Sequence, residues 1–86
     1  MLKVSIITVC FNAAATIEST ITSVLNQSYK NIQYIIIDGK STDNTMDVVN
    51  KYTTNISKVV SEPDNGLYEA INKGIALSNG DVVGIL

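Results

Sequence analysis

Eight carboxylates, six lysines, four tyrosines and a single cysteine make up the titratable side chains of this 86-residue sequence, which has no arginine and no histidine. The missing histidine removes the commonest general base near neutral pH and leaves no Ser–His or Cys–His pair to activate a nucleophile. The missing arginine removes the planar fork that grips phosphate bidentately. Acid–base chemistry therefore falls to carboxylates, and phosphate binding to Lys, backbone N–H groups or a metal ion. The polar residues suited to such work gather in three clusters: Cys10-Phe11-Asn12, Asp38-Gly39-Lys40-Ser41 and Ser61-Glu62-Pro63-Asp64. Each follows a run of apolar residues.

Those runs are the elements that must position the clusters. Val4–Val9 is β-branched and short, a buried strand. From Thr16 the period changes, and Ile17, Ile21, Val24 and Leu25 fall on one helical face that fades around Asn26–Ser28. Ile32–Asp38 reads as a second strand ending in a carboxylate. Thr42 or Asp43 can cap a following helix, in which Met46, Val49 and Tyr52 recur at near-helical spacing. A third strand is predicted over Ile56–Ser61. Pro63 bars its continuation, and Asp64-Asn65-Gly66 has turn chemistry. Leu67, Ala70, Ile71, Gly74, Ile75 and Ser78 share a face of a third helix, Gly74 allows close packing, and Gly80 is expected as its C-cap. Val82–Leu86 is a fourth strand.

The order β-α-β-α-β-α-β, with helix-length connections between apolar strands, predicts an α/β, Rossmann-like parallel sheet with helices on both faces. In such sheets ligands bind beyond the carboxyl ends of the strands, where the three polar clusters converge. The usual phosphate cradles are absent. Cys10–Ala15 contains no glycine, so the first turn is not a dinucleotide fingerprint, and no P-loop pattern occurs. No His/Cys cluster offers a zinc site. A net charge of −2 lacks the basic footprint of a nucleic-acid binder. A lone cysteine forms no internal disulfide and suits a reducing compartment. No signal peptide is visible, and the longest apolar run is far too short to span a bilayer, so a cytoplasmic location is expected. The chain ends within an apolar run, Ile85-Leu86. The expectation is a fragment whose last strand leaves an apolar sheet edge, along which a homodimer can form.

Four collinear strings resemble family-2 glycosyltransferases. They are VSIITVCFN (Val4–Asn12) with SVLNQSY (Ser23–Tyr29) closing the helix behind it, IIIDGKSTDNT (Ile35–Thr45), SEPDNGLYEAINKGI (Ser61–Ile75) and SNGDVVGIL (Ser78–Leu86). The third is similar to a form found in a bacterial subgroup that builds surface polysaccharides. The resemblance implies the N-terminal half of a GT-A domain, acting in inverting transfer of a sugar from a nucleoside diphosphate to the hydroxyl of a saccharide or lipid-linked acceptor. For members using lipid-linked acceptors it also implies docking at the inner face of the membrane. It further implies Mg²⁺ or Mn²⁺ on the diphosphate, with the acidic metal motif and catalytic base expected after Leu86. Val9, Cys10, Phe11 and Asn12 match the segment that lines the nucleoside pocket. Asp38 matches the first position of the family's paired-acid motif. Gly39 stands where many members carry a second Asp, often a base contact.

An Asp at a strand end can accept hydrogen bonds from a base N–H or a ribose hydroxyl, and Phe11 can lie against a base or ribose face. Asp64 and Glu62 flank Pro63, and either one reaches the ligand or both shape a plain turn. Asn72 occupies a helix interior, unfavourable for Asn, which points to a hydrogen bond with a neighbouring loop. Lys73 either adds a charge near the phosphates or lies on a solvated face. Cys10 reads as a small packed residue, because no base stands ready to activate it. The tyrosines read as packing residues. The alternative is a small non-catalytic nucleotide-binding α/β module. A phospho-acceptor receiver-like domain, which needs clustered acids where Val9-Cys10-Phe11 stands, fits less well.

Overall fold

A computed structural model describes residues 2–27 and 29–86. It contains four strands, β1 (Val4–Cys10), β2 (Ile32–Asp38), β3 (Lys58–Ser61) and β4 (Val82–Ile85). They alternate with three helices, α1 (Ile17–Leu25), α2 (Thr45–Asn50) and α3 (Leu67–Leu77). All strand pairings are parallel, in the order β3-β2-β1-β4. The α/β reading therefore holds. Ser28, placed at the end of the first helix from sequence, lies outside the described residues.

The central strand β2 explains the two-sided architecture. Its residues alternate across the sheet, as side chains in any strand must. Tyr34 and Ile36 join Ile17, Ile21 and Val24 of α1 and Val49 of α2 in one buried cluster. Ile35 and Ile37 join Ile7 of β1 and Ala70 of α3 in another. Both faces of β2 are dry, which is why it reads as a continuous apolar run. The Tyr34 hydroxyl shares a hydrogen bond of 2.9 Å with Thr8 Oγ1, so neither buried polar atom is orphaned.

Four expectations are corrected. The third strand is shorter than Ile56–Ser61. Ile56 is buried in the α1–α2 cluster, and the ladder starts at Lys58. The apolar stripe of α3 is narrower than its sequence suggests. Ala70 and Gly74 are buried, while Leu67 is 60% exposed and Ile75 47% exposed. Gly74 lets the helix approach the sheet, since a Cβ there would lie 2.5 Å from Ile7 Cγ2. Gly80 is not the helix cap. Ser78 ends α3 in an extended conformation, and Gly80 instead lies against β1. Tyr68 is also not a packing residue, being 84% exposed.

The connection from α3 to β4 is fixed by two polar residues buried inside apolar strands. Ser5 and Gln33 face each other across β1 and β2, and Ser5 Oγ donates to Gln33 Oε1 at 2.7 Å. Gln33 Oε1 also accepts the Asn79 N–H at 2.9 Å, and Ser5 Oγ accepts the Gly80 N–H at 2.9 Å. Asp81 then receives the Lys3 N–H and starts β4. On β4, Val82, Val83 and Ile85, with the following Leu86, are 40 to 58% exposed, so the apolar edge expected from sequence is present.

Candidate functional site

The register of the sheet places Cys10, Asp38 and Ser61 side by side at the carboxyl ends of β1, β2 and β3. Asp38, in the middle, is wholly buried. Its Oδ1 accepts from the Ser41 hydroxyl and from the Cys10 thiol at 3.5 Å. Its Oδ2 accepts from the Ser41 N–H at 2.9 Å and the Ser61 hydroxyl at 2.8 Å. Four donors saturate a carboxylate that has about four lone-pair sites. Burial pushes the Asp38 carboxyl up, but the hydrogen bonds from Ser41, Ser61 and Cys10 outweigh it and hold the pKa below its ordinary value. Cys10 moves the opposite way. Burial, with the adjacent Asp38 charge, pushes its thiol up to about 12. The thiol therefore stays protonated as a donor to Asp38 and is no nucleophile.

Asp38 thus binds three strand ends and a loop to one another, and it presents no unoccupied acceptor. Sequence reasoning sends this carboxylate to a ligand; in the structure it lies beneath the rim as a positioning group.

The loops above it are equally interlocked. Asn12 adopts a left-handed conformation with φ 48°, which Asn tolerates better than most residues. Its N–H donates to Ser41 Oγ at 2.8 Å, and its Oδ1 accepts the Thr42 N–H at 2.8 Å and the Asp43 N–H at 3.3 Å. Asp43 in turn accepts from the Thr45 N–H at 2.9 Å and the Ala14 N–H at 3.3 Å, so it both opens α2 and ties that end to the β1–α1 loop. Lys40 is left-handed too, with φ 63°. The side chain of Asn12 is engaged by this loop and is not in the wall of the cavity over the strand ends.

One cavity of about 380 Å³ opens over these strand ends, walled by Val9, Cys10, Phe11, Gly39, Asp64, Gly66, Leu67 and Ala70. It falls in the size range of small-molecule sites. Five of the eight candidates, Val9, Cys10, Phe11, Gly39 and Asp64, meet there. Asn72 does not, being exposed on α3 outside the cavity wall. Phe11 and Leu67, each 60% exposed, stand as apolar walls of the cavity. Asp64 is the only carboxylate in the wall. Its Oδ1 accepts the Gly66 N–H at 3.2 Å, closing the turn that its sequence predicts.

Sequence reasoning missed Gly66, Leu67 and Ala70. The signal available was position: the first turn of a helix that follows a strand stands over the strand's carboxyl end. Gly66 has φ 127° and ψ −177°, a region open essentially to glycine alone, and it brings the chain sharply into α3. Lys73 is a half-buried, paired residue. Its Nζ lies 3.1 Å from Glu62 and 3.6 Å from Glu69 and donates to the Pro63 carbonyl at 3.2 Å, clamping the Glu62–Asp64 loop to α3. Partial burial draws the Lys73 pKa down, but Glu62, Glu69 and Asp64 outweigh it and raise it. Among the described residues no three His, Cys, Asp or Glu side chains come together as metal ligands. No helix among them is long and apolar enough to cross a membrane.

Known proteins resemble this chain over nearly its full length. An uncharacterized glycosyltransferase of Mycobacterium tuberculosis strain H37Rv is 38% identical over 84 residues, covering 96% of this chain and 32% of that protein. The Escherichia coli UDP-Glc:alpha-D-GlcNAc-diphosphoundecaprenol beta-1,3-glucosyltransferase WfaP is 37% identical over 86 residues, covering 96% of this chain and 34% of that protein. The chain thus spans about a third of the length of these relatives. Among solved structures, glucosyl-3-phosphoglycerate synthase from M. tuberculosis, in complex with Mn²⁺, UDP and glucosyl-3-phosphoglycerate, superposes with a TM-score of 0.82. It is 28% identical, and the match covers 99% of this chain and 33% of that one. A mannosyltransferase from Pyrobaculum calidifontis shares the fold with a TM-score of 0.86 at 24% identity, over 95% of this chain and 26% of its own. The family model for glycosyl transferase family 2 matches residues 5–86, and the chain belongs to that family.

Proposed function

We propose that the cavity at the strand ends receives the nucleoside of a nucleoside-diphosphate sugar, for inverting transfer of the sugar to an acceptor hydroxyl in glycoconjugate synthesis. The observation that carries this reading is the cavity's make-up, a mostly apolar lining that includes Phe11 and Leu67 with one carboxylate, Asp64, in a member of glycosyl transferase family 2. In this reading a flat ring lies against the Phe11 or Leu67 side chain, and Asp64 accepts its N–H or O–H donors. The related synthase that carries UDP and Mn²⁺ supports the ligand class.

In the reaction proposed, the acceptor oxygen attacks the anomeric carbon from the face opposite the diphosphate. The glycosidic C–O bond breaks, its electron pair leaves with the diphosphate, and the acceptor proton passes to a base. Among the described residues no metal-ligand cluster forms, and in this reading their part is to bind and orient the nucleoside. A Mg²⁺ or Mn²⁺ ion would offset diphosphate charge when bound, but Asp38 is saturated and the residues described here do not form its site. The proposal extends to saccharide or lipid-linked acceptors and to a cytoplasmic chain able to meet them at the membrane's inner face. It includes a homodimer paired along the free β4 edge, for which sedimentation velocity is expected to show a coefficient rising with concentration. A constant monomer value would count against that pairing.

Calorimetric titration with UDP, GDP and inorganic pyrophosphate tests the central reading. UDP or GDP should bind saturably, and pyrophosphate at least about tenfold more weakly, because an acidic, apolar cavity favours the nucleoside over the phosphates. Pyrophosphate binding as tightly as both nucleotides would refute it.

A further inference from the structure

Gly39 is conspicuous for what its missing side chain leaves room for. It does not take a left-handed conformation, so its backbone does not demand glycine. Space is the closer constraint. A Cβ at position 39 would lie 3.2 Å from Asp64 Oδ2 and 3.4 Å from Phe11 Cδ1. The Phe11 contact is ordinary packing, but the Asp64 carboxylate would have to move by a few tenths of an ångström. The strand-end position that a side chain at 39 would fill is occupied by a carboxylate reaching across from the β3–α3 turn. That carboxylate is held in place: Oδ1 is engaged by the Gly66 N–H at 3.2 Å, and the preceding turn is clamped to α3 through Lys73.

We infer that Gly39 and Asp64 form one specificity unit, in which Asp64 supplies from a different loop the carboxylate that reads the donor groups of the bound nucleoside. The inference rests on the nucleotide-site reading above. Ionised carboxylates accept hydrogen bonds and donate none. Asp64 therefore selects ligand groups bearing N–H or O–H, namely a ring N–H of the base or the ribose hydroxyls, and repels phosphate. The nucleotide consequently enters with its nucleoside inward and its diphosphate toward the open rim. The geometry also makes positions 39 and 64 mutually exclusive hosts for a carboxylate. A second acid at 39 would bring two like charges into contact in a partly closed cavity.

Asp64→Asn, Gly39→Asp, Asp64→Ala and the double variant Gly39→Asp/Asp64→Ala, each titrated with UDP and GDP, test this. Asn at 64 keeps the acceptor for Gly66, so the thermal midpoint of Asp64→Asn should stay near wild type. Its Kd for the better-bound nucleotide should rise about tenfold or more, the scale of one charge-assisted hydrogen bond. Gly39→Asp alone should also weaken binding. The double variant should bind about tenfold more tightly than Asp64→Ala, a non-additive result that separate sites would not give. On the wild-type chain, N3-methyl-UDP and 2′-deoxy-UDP separate a base contact from a ribose contact, and at least one should bind more weakly than UDP. Unchanged affinity in Asp64→Asn, a double variant no better than Asp64→Ala, or full affinity for both analogues would overturn the inference while leaving the nucleotide site standing. Absence of UDP and GDP binding to the wild-type chain would instead remove the nucleotide-site reading and this inference with it.

Discussion

Asp38→Ala is expected to remove about 3–5 kcal/mol of stability, because it strands four part-buried donors from two strand ends and a loop at once. The Ser41 N–H, the Ser41 and Ser61 hydroxyls and the Cys10 thiol all donate to this one carboxylate. An 86-residue domain has about 4–13 kcal/mol in total, so the loss is a large share of it, and only at the low end of that range would much of the Asp38→Ala population be unfolded at room temperature. Asp38→Asn keeps the shape but replaces one accepting oxygen with a donor, and it should cost less, about 1–3 kcal/mol. Urea unfolding with unchanged slope would give both values. The pH dependence follows from the direction of the shift. The folded-state pKa of Asp38 lies below its ordinary value of 3.8, so its contribution is fully present above that value and is lost as the pH falls through the lower, folded-state pKa. Wild-type stability should therefore fall below about pH 4, and Asp38→Asn should lose less over the same acid range.

The second large effect is expected at Gly80. Alanine there would bring its Cβ within 2.5 Å of Ser5 Oγ, 2.7 Å of Ser5 N and 2.9 Å of the Lys3 carbonyl. Two of those three atoms are backbone of β1 and its approach, which cannot swing aside as a side-chain tip could. Relief requires the α3–β4 connection to lift away, which breaks the Gly80–Ser5 and Asn79–Gln33 hydrogen bonds. Overpacking and lost buried hydrogen bonds together should cost about 2–4 kcal/mol. Hydrogen exchange should show where: the β4 amides should lose protection before those of β1 and β2. If Gly80→Ala unfolds at the wild-type urea midpoint, the close approach described here is wrong.

The Gly80 result also marks a limit of the sequence. Glycine after a helical stripe has an established meaning as a cap, and local pattern favours it. The actual demand on Gly80 comes from β1, seventy-odd residues earlier in the chain, and nothing local announces it. Ser5 and Gln33 are similar. Each is a polar interruption in an apolar strand, and they acquire a role only when the parallel register sets them opposite each other. The elements themselves were legible because each satisfies a local rule. β2 is apolar on both faces, α1 places Ile17, Ile21 and Val24 on one stripe, and Pro63 terminates the strand before it. The narrower stripe of α3 was not legible. Periodicity groups Leu67 with Ala70 and Gly74, but it does not say that the helix begins beyond the sheet's end, where Leu67 becomes a cavity wall.

The candidate site divides in the same way. Val9, Cys10 and Phe11 meet in one cavity wall because strand exits in a parallel sheet share one rim. Asp38 stands out in the sequence as a strand-end carboxylate, yet its task depends on Cys10 and Ser61 arriving beside it, which sheet register alone determines. Gly39 was read from the sequence as a missing contact. The structure gives it a positive reason, namely space for Asp64 and Phe11. Asn72, exposed on α3, had only an unfavourable helix position in its support, and it lies outside the wall of the strand-end cavity.

The most direct test of the nucleoside site is its location. Backbone-amide NMR of the chain, titrated with UDP and with GDP, should show the largest shifts at Val9, Cys10, Phe11, Gly39, Gly66 and Leu67, with little change along Ile17–Leu25 of α1. Shifts centred on the α1–α2 face, or spectra unaltered by about 10 mM of either nucleotide, would contradict the account.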